Sequence, residues 1–363
     1  MTDGLFRLLS ASVLLSAFTC SLTAGNNYLV HNLVSDIAGL ADHQDANLVN
    51  PWGIASSTSG AFWIGNNGSG TSTLYDGAGT ASPLIVAIPG PGGAATGGAV
   101  TGVVFNSSQG LFNVAPGKQA AFVFCSEDGV ISGWNSTVDM THAQIMIDNS
   151  QSGAVYKGCT IGGSTGAPLL YAANFNSGNI DVWDGNLNRV LAAGVFLNNA
   201  VPAGFAPFDI LNLGGKLYVT YAKQDGDKHD DVAGAGNGYV AVFDMSGNLI
   251  RNLASGGLLN SPWGLTIAPS TFGPFANTLL VGNFGDGTIH AFDSVTGALQ
   301  GTLDDLQGNT ITIPGLWSLA FGNGHASDSS LLYFTAGIGA GGELESHGLY
   351  GSIEGAPNIQ SSS

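Results

Sequence analysis

The densest chemistry in the chain lies after Lys223, where Asp225, Asp227, Asp230 and Asp231 share one loop, Gln224 to Gly238, with His229. Gathered carboxylates are the oxygen donors of a hard cation such as Ca2+. The spacing is not that of an EF-hand, and the bidentate Glu that ends such a loop is missing, so a solvated acidic loop is the competing reading. A further carboxylate, Asp209, occupies a position whose five repeat equivalents are Gly53, Gly102, Gly158, Gly264 and Ser318. A carboxylate among such small residues would be buried, and burial demands a partner. Lys223, at the end of the next strand, offers an ion pair, and Ca2+ offers the alternative. The metal ligands expected from sequence are therefore Asp209, Asp225, Asp230 and Asp231.

Other polar and aromatic residues recur at turns that should share one rim. Asn50, Trp52, Asn66, Asn174, Asp209, Lys223, Asp225, Trp263, Asn283 and Trp317 are the expected ligand-binding set. Asn and Asp also suit tight turns through local hydrogen bonds and tolerance of left-handed backbone, which is the structural alternative for each of them. The tripeptides Pro51-Trp52-Gly53 and Pro262-Trp263-Gly264 read first as packing elements, and second as an aromatic floor for a planar ligand. His43, His229, His325 and His347 make no H-x-H or H-E-x-x-H spacing, and neither a G-x-S-x-G elbow nor a Walker loop occurs. The run Gly90 to Gly98 lacks the Lys and helix that a phosphate loop requires.

The elements that would position these residues repeat six times. A small residue followed by an apolar one opens a β-like run at Gly53, Gly102, Gly158, Asp209, Gly264 and Ser318, at intervals of roughly 50 to 55 residues, the length of a four-stranded propeller blade with its loops. Each opening leads to a second apolar run, such as Phe62 to Asn66 or Leu279 to Asn283, and a third, such as Asn179 to Asp184 or Tyr239 to Asp244. The pattern predicts an all-β, six-bladed β-propeller. The sixth unit stops after its third strand, and Tyr28 to Val34 has strand character without a blade, so the N-terminal strand should complete the last blade and close the ring.

Composition agrees. Of 363 residues 56 are glycine and 44% are hydrophobic, which suits many short strands joined by tight turns. A formal charge of −17 repels phosphate, so nucleic acid and anionic membrane surfaces are poor partners, and cations or neutral ligands are better ones. Residues 1–24 read as an export signal, with Arg7, the apolar stretch Leu8 to Phe18, and small residues at Thr23-Ala24-Gly25. The apolar stretch is too short for an ordinary span. The expectation is a single propeller domain over 25–363, secreted or periplasmic, monomeric and not inserted in a membrane. Cys125 and Cys159 fall on adjacent blades, where a disulfide and two buried thiols are equally open readings.

The stretches Asp45 to Ala55, Ala222 to Asp225, His229 to Gly234, Val281 to Gly287 and Glu345 to Gly351 resemble an uncharacterised family of exported proteins similar in layout to NHL-repeat propellers. The resemblance implies fold and export and carries no activity. Six-bladed lactonases hold Ca2+ with Glu, Asn and Asp at the channel mouth, and this chain offers Asn and Asp there without an obvious Glu. Two functions follow. One is a binding or scaffold propeller recognising a small molecule, glycan or protein at its rim. The other is a Ca2+-dependent hydrolase or lactonase with Asp209 or another carboxylate as base.

Overall fold

The computed structural model describes residues 26–355 except 165, 191–194 and 340–342, so the leader reading of 1–24 lies outside the described residues. Six antiparallel sheets form the six blades. Their innermost strands are Pro51–Ser56, Val100–Phe105, Tyr156–Ser164, Phe205–Leu213, Pro262–Ile267 and Leu316–Phe321, each containing the residue that the sequence repeat marks, at its third position in five strands and its fifth in Phe205–Leu213. Adjacent inner strands touch in chain order, and the last touches the first, which makes the arrangement a ring. Each of the six seams between blades holds its own apolar cluster, and a seventh fills the axis.

The ring is closed as expected: Tyr28–Ser35 pairs antiparallel with Leu349–Gly355, from Tyr28 opposite Gly355 to Ser35 opposite Leu349. Tyr28, Leu33 and Val34 are buried by this pairing. His43–Gln44 then adds in parallel to the outer side of Tyr28–Ser35, so blade six ends with five strands where blades one, two, four and five have four. Small residues line the ring because neighbouring inner strands approach closely. A Cβ on Gly53 would lie 2.5 Å from the Thr101 carbonyl, and one on Gly102 would lie 2.8 Å from the Cys159 amide.

Cys125 and Cys159 are joined, with their Cα atoms 6.5 Å apart, so the disulfide is the reading that holds. It ties the second strand of blade two (Phe122–Ser126) to the inner strand of blade three.

Deleting residues 26–36 should cost about 5 kcal/mol or more, because three buried side chains and a whole ladder are lost together; unchanged chemical denaturation of the truncated chain would refute the closure. Replacing both bonded cysteines by alanine frees a loop of 34 residues. It should lower the unfolding free energy by roughly 3–4 kcal/mol, read as a fall in denaturant midpoint that matches the effect of reduction on the wild type.

Candidate functional site

The residues just before the ring positions are, in chain order, Trp52, Thr101, Lys157, Phe208, Trp263 and Trp317. Four of them, Trp52, Phe208, Trp263 and Trp317, pack together at the axis. Trp52 stacks on Trp317 with centroids 3.4 Å apart, and Trp263 meets both edge-on at 6.0 and 5.7 Å. Phe208 and Phe284 pack on Trp317 at 5.9 and 4.0 Å. All three tryptophans are almost fully buried. The indoles therefore plug the channel, a packing role with no open aromatic floor.

Beside this plug stands one cation. Lys157 is only 2% exposed, and its ammonium donates to Glu127 and, at 3.1 Å, to Asp230. It also lies 5.2 Å from the Trp52 ring centre and 5.8 Å from that of Phe175, close enough for cation–π attraction. Burial works to strip its proton, but the Glu127 and Asp230 carboxylates outweigh burial and hold the ammonium above the ordinary lysine value. Asp230 is itself held low, because Lys157 and His229 together outweigh its partial burial.

The network continues around the mouth. Glu127 accepts from Asn67 Nδ2 at 2.8 Å, Asn50 Nδ2 reaches Asn67 Oδ1 at 3.5 Å, and Trp317 Nε1 donates to Asn50 Oδ1 at 3.1 Å. Trp263 Nε1 donates to the Lys157 carbonyl at 2.9 Å, and His229 Nδ1 lies 2.9 Å from Asp230 Oδ1. Glu345, on the blade-six loop, feels the same groups: burial and the Glu127 charge push its carboxyl up to about 7 against the pull of Lys157. Burial likewise raises Asp231, whose Oδ2 is enclosed without a hydrogen-bond partner. Two carboxylates, Glu127 of blade two and Asp230 of blade four, thus hold the blade-three ammonium, and Asp231 and Glu345 feel its charge.

No family model matches the chain. An uncharacterized protein of Acanthamoeba polyphaga mimivirus is 34% identical over 336 residues, covering 90% of this chain and 79% of that protein. A second from the same virus is 33% identical over 333 residues, covering 89% and 85%. The chain belongs to this family of uncharacterised proteins. Among solved structures, a streptogramin B lyase superposes with a TM-score of 0.52 at 12% identity, over 92% of this chain and 99% of that one. A structural genomics protein of unknown function from Bacteroides thetaiotaomicron gives 0.55 at 10% identity, over 90% and 76%. At such identities these likenesses speak for the fold alone.

Of the sequence-derived candidates, Asn50, Trp52, Trp263, Trp317, Asp230 and Asp231 belong to this mouth. Asn66, Asn174 and Asn283 are fastened inside their own blades, to Thr73, to Asp181 and to the Leu258 carbonyl respectively. Asp225 caps its own loop by accepting the His229 amide at 2.9 Å. Lys223 is exposed and forms no ion pair with Asp209, whose Oδ2 is buried without a hydrogen-bond partner. The pairing fails because Lys223 ends its strand at the solvent edge, whereas Asp209 lies in the ring against Gly158. Nor do Asp209, Asp225, Asp230 and Asp231 converge; among the described residues the grouping with metal-ligand spacing is Glu127, His229 and Asp230, within 4.8 Å of one another. Lys157 already neutralises two of those three.

Lys157, Glu127 and Glu345 escaped the sequence reading of the site. Lys157 immediately precedes the ring residue Gly158, and Glu127 lies in the turn between the second and third strands of blade two, so the repeat register itself was the signal.

Burial drives the Asp209 carboxyl well above the ordinary range, with only the Ile210 amide opposing it. A carboxyl raised by folding costs nothing below its unfolded value of about 4 and destabilises progressively as pH climbs toward the folded value. Asp209→Asn should therefore match the wild type near pH 3.5 and exceed its stability at pH 8 by roughly 1–3 kcal/mol. Denaturation curves at the two pH values check this, and a variant less stable at pH 8 would mean that the carboxylate has a counter-charge.

Proposed function

We propose that this protein is an exported binding propeller that takes a small cationic or hydroxyl-rich ligand at the mouth of its plugged channel. The observation that carries the reading is the pairing of Glu127 and Asp230 with the buried ammonium of Lys157, whose charge Asp231 and Glu345 also feel. Carboxyl groups in excess of cations favour a ligand that brings positive charge or donor hydroxyls. The plug leaves no passage along the axis, so recognition belongs to the rim, where glycan or protein side chains would meet the same chemistry. A disulfide between blades two and three fits an oxidising compartment and hence export.

A Ca2+-dependent hydrolase is the second reading, favoured by the 4.8 Å grouping of Glu127, His229 and Asp230. The ion would have to displace Lys157 from both carboxylates, and a buried ammonium stripped of its partners is strongly unfavourable.

Titration calorimetry with small amines, neutral methyl glycosides and CaCl2 separates the two. The binding reading expects heat from an amine or glycoside that Asp231→Asn combined with Glu345→Gln abolishes, and no rise in melting temperature with CaCl2. Because Glu345 titrates at about 7, amine affinity should strengthen roughly three- to tenfold from pH 6 to pH 8, as the carboxylate gains the charge that attracts the ligand. A Ca2+-induced rise in melting temperature with no response to amines or glycosides would overturn the binding reading in favour of the hydrolase.

A further inference from the structure

Lys157 and Glu127 each stand two residues from a half-cystine, Cys159 and Cys125, so the disulfide clamps the two backbone segments that carry the ammonium and the carboxylate. The pair is withdrawn from water, at 2% and 12% exposure. Around it are the other parts of an acyl-transfer site. Asn67 Nδ2 donates to the far oxygen of Glu127 at 2.8 Å, where it would stabilise charge developing on that oxygen. Asp230 Oδ1 sits 3.1 Å from Nζ and 2.9 Å from His229 Nδ1, a base with a route for protons outward.

We propose that Lys157 and Glu127 condense into an intramolecular amide, Nζ to Cδ, that staples blade three to blade two beside the disulfide. Asp230 takes one proton from the ammonium and relays it to the leaving oxygen of Glu127, and the freed Nζ lone pair attacks Cδ of that protonated carboxyl. Asn67 holds the oxygen that becomes the amide carbonyl. The other carboxylate oxygen leaves as water, with both of its hydrogens coming from the former ammonium, one of them returned by Asp230. No oxidant or co-reactant is required. Between free groups in water this condensation runs uphill, but groups held in contact react with effective molarities of order 10^5–10^8 M, which offsets the excess of water. The ion pair keeps the lysine charged at rest, and that slows the step without preventing it, since each molecule needs only one turnover. Net charge at the mouth is unchanged, because one ammonium and one carboxylate vanish together, so this inference does not depend on the ligand-binding reading.

The test is the intact mass of the purified, reduced chain with its N-terminus determined. The expected result is a mass lower than that of the sequence by one water, with Lys157 resistant to trypsin and its peptide joined to the one carrying Glu127. Lys157→Arg, which keeps the charge but cannot form the amide, should show the full mass, and Asn67→Ala and Asp230→Ala should accumulate unlinked chain. A wild type of full mass with free Lys157 and Glu127 peptides overturns the proposal and leaves an ordinary ion pair. A link that forms as completely in Asp230→Ala overturns the role given to Asp230.

Discussion

An ammonium held out of water is the demand around which the mouth of this propeller is organised. Withdrawing a charge that size costs several kcal/mol even after relaxation, and it is tolerable only where counter-charges and hydrogen bonds are supplied together. Glu127 and Asp230 supply them to Lys157 from the neighbouring blades. Meeting that demand fixes the long loop of blade four. Asp230 must be carried over blade three, and the loop is pinned on both flanks, by Gln224 Nε2 to the Phe175 carbonyl at 2.5 Å and by the Gly234 amide to Asn260 Oδ1 at 2.6 Å. A loop of this length among short turns is thus a bracket for a buried cation, not a free acidic tether.

Closure of the axis follows a related division of labour. Glycine at the ring positions allows inner strands to approach until a methyl group would collide with the next backbone, and the residue before each glycine then has to fill what remains. In blades one and five this is done by the same device: Asn50 and Ser261 adopt left-handed backbone (φ 47° and 46°), and the following Pro-Trp turns an indole inward. Asp209 breaks the ring rule. Its carboxyl rests on Gly158 and is pushed by burial well above the ordinary carboxylate range, so it acts as a small polar filler in a place that disfavours ionisation.

The fold was legible because the repeat is written in backbone requirements. Five small residues and Asp209 at blade spacing, paired apolar runs and an orphan N-terminal strand each have one cheap solution, and the sheet pairings are that solution. The site was legible only in part. Register assigned Asn50 and the three tryptophans to the mouth, yet the proximity of Asp230 to Lys157 spans 73 positions of sequence and depends on how far a loop leans, which no local pattern encodes. Lys223 drew the eye because it is near Asp209 in sequence. Strand direction separates them, whereas Lys157 enters because its strand neighbours the one carrying Asp209.

The mouth that results is two-sided. Blades one, five and six contribute the indoles that seal the axis, while blades two, three and four contribute the ammonium and the two carboxylates that hold it. The seam between blades two and three carries both the disulfide and the Lys157 to Glu127 contact, so the charged half is also the half whose backbone is covalently cross-linked. Rigidity matters there because an attraction between charges falls away with small separations once water enters. The mouth therefore sets a paired ammonium and its carboxylates beside a sealed aromatic core.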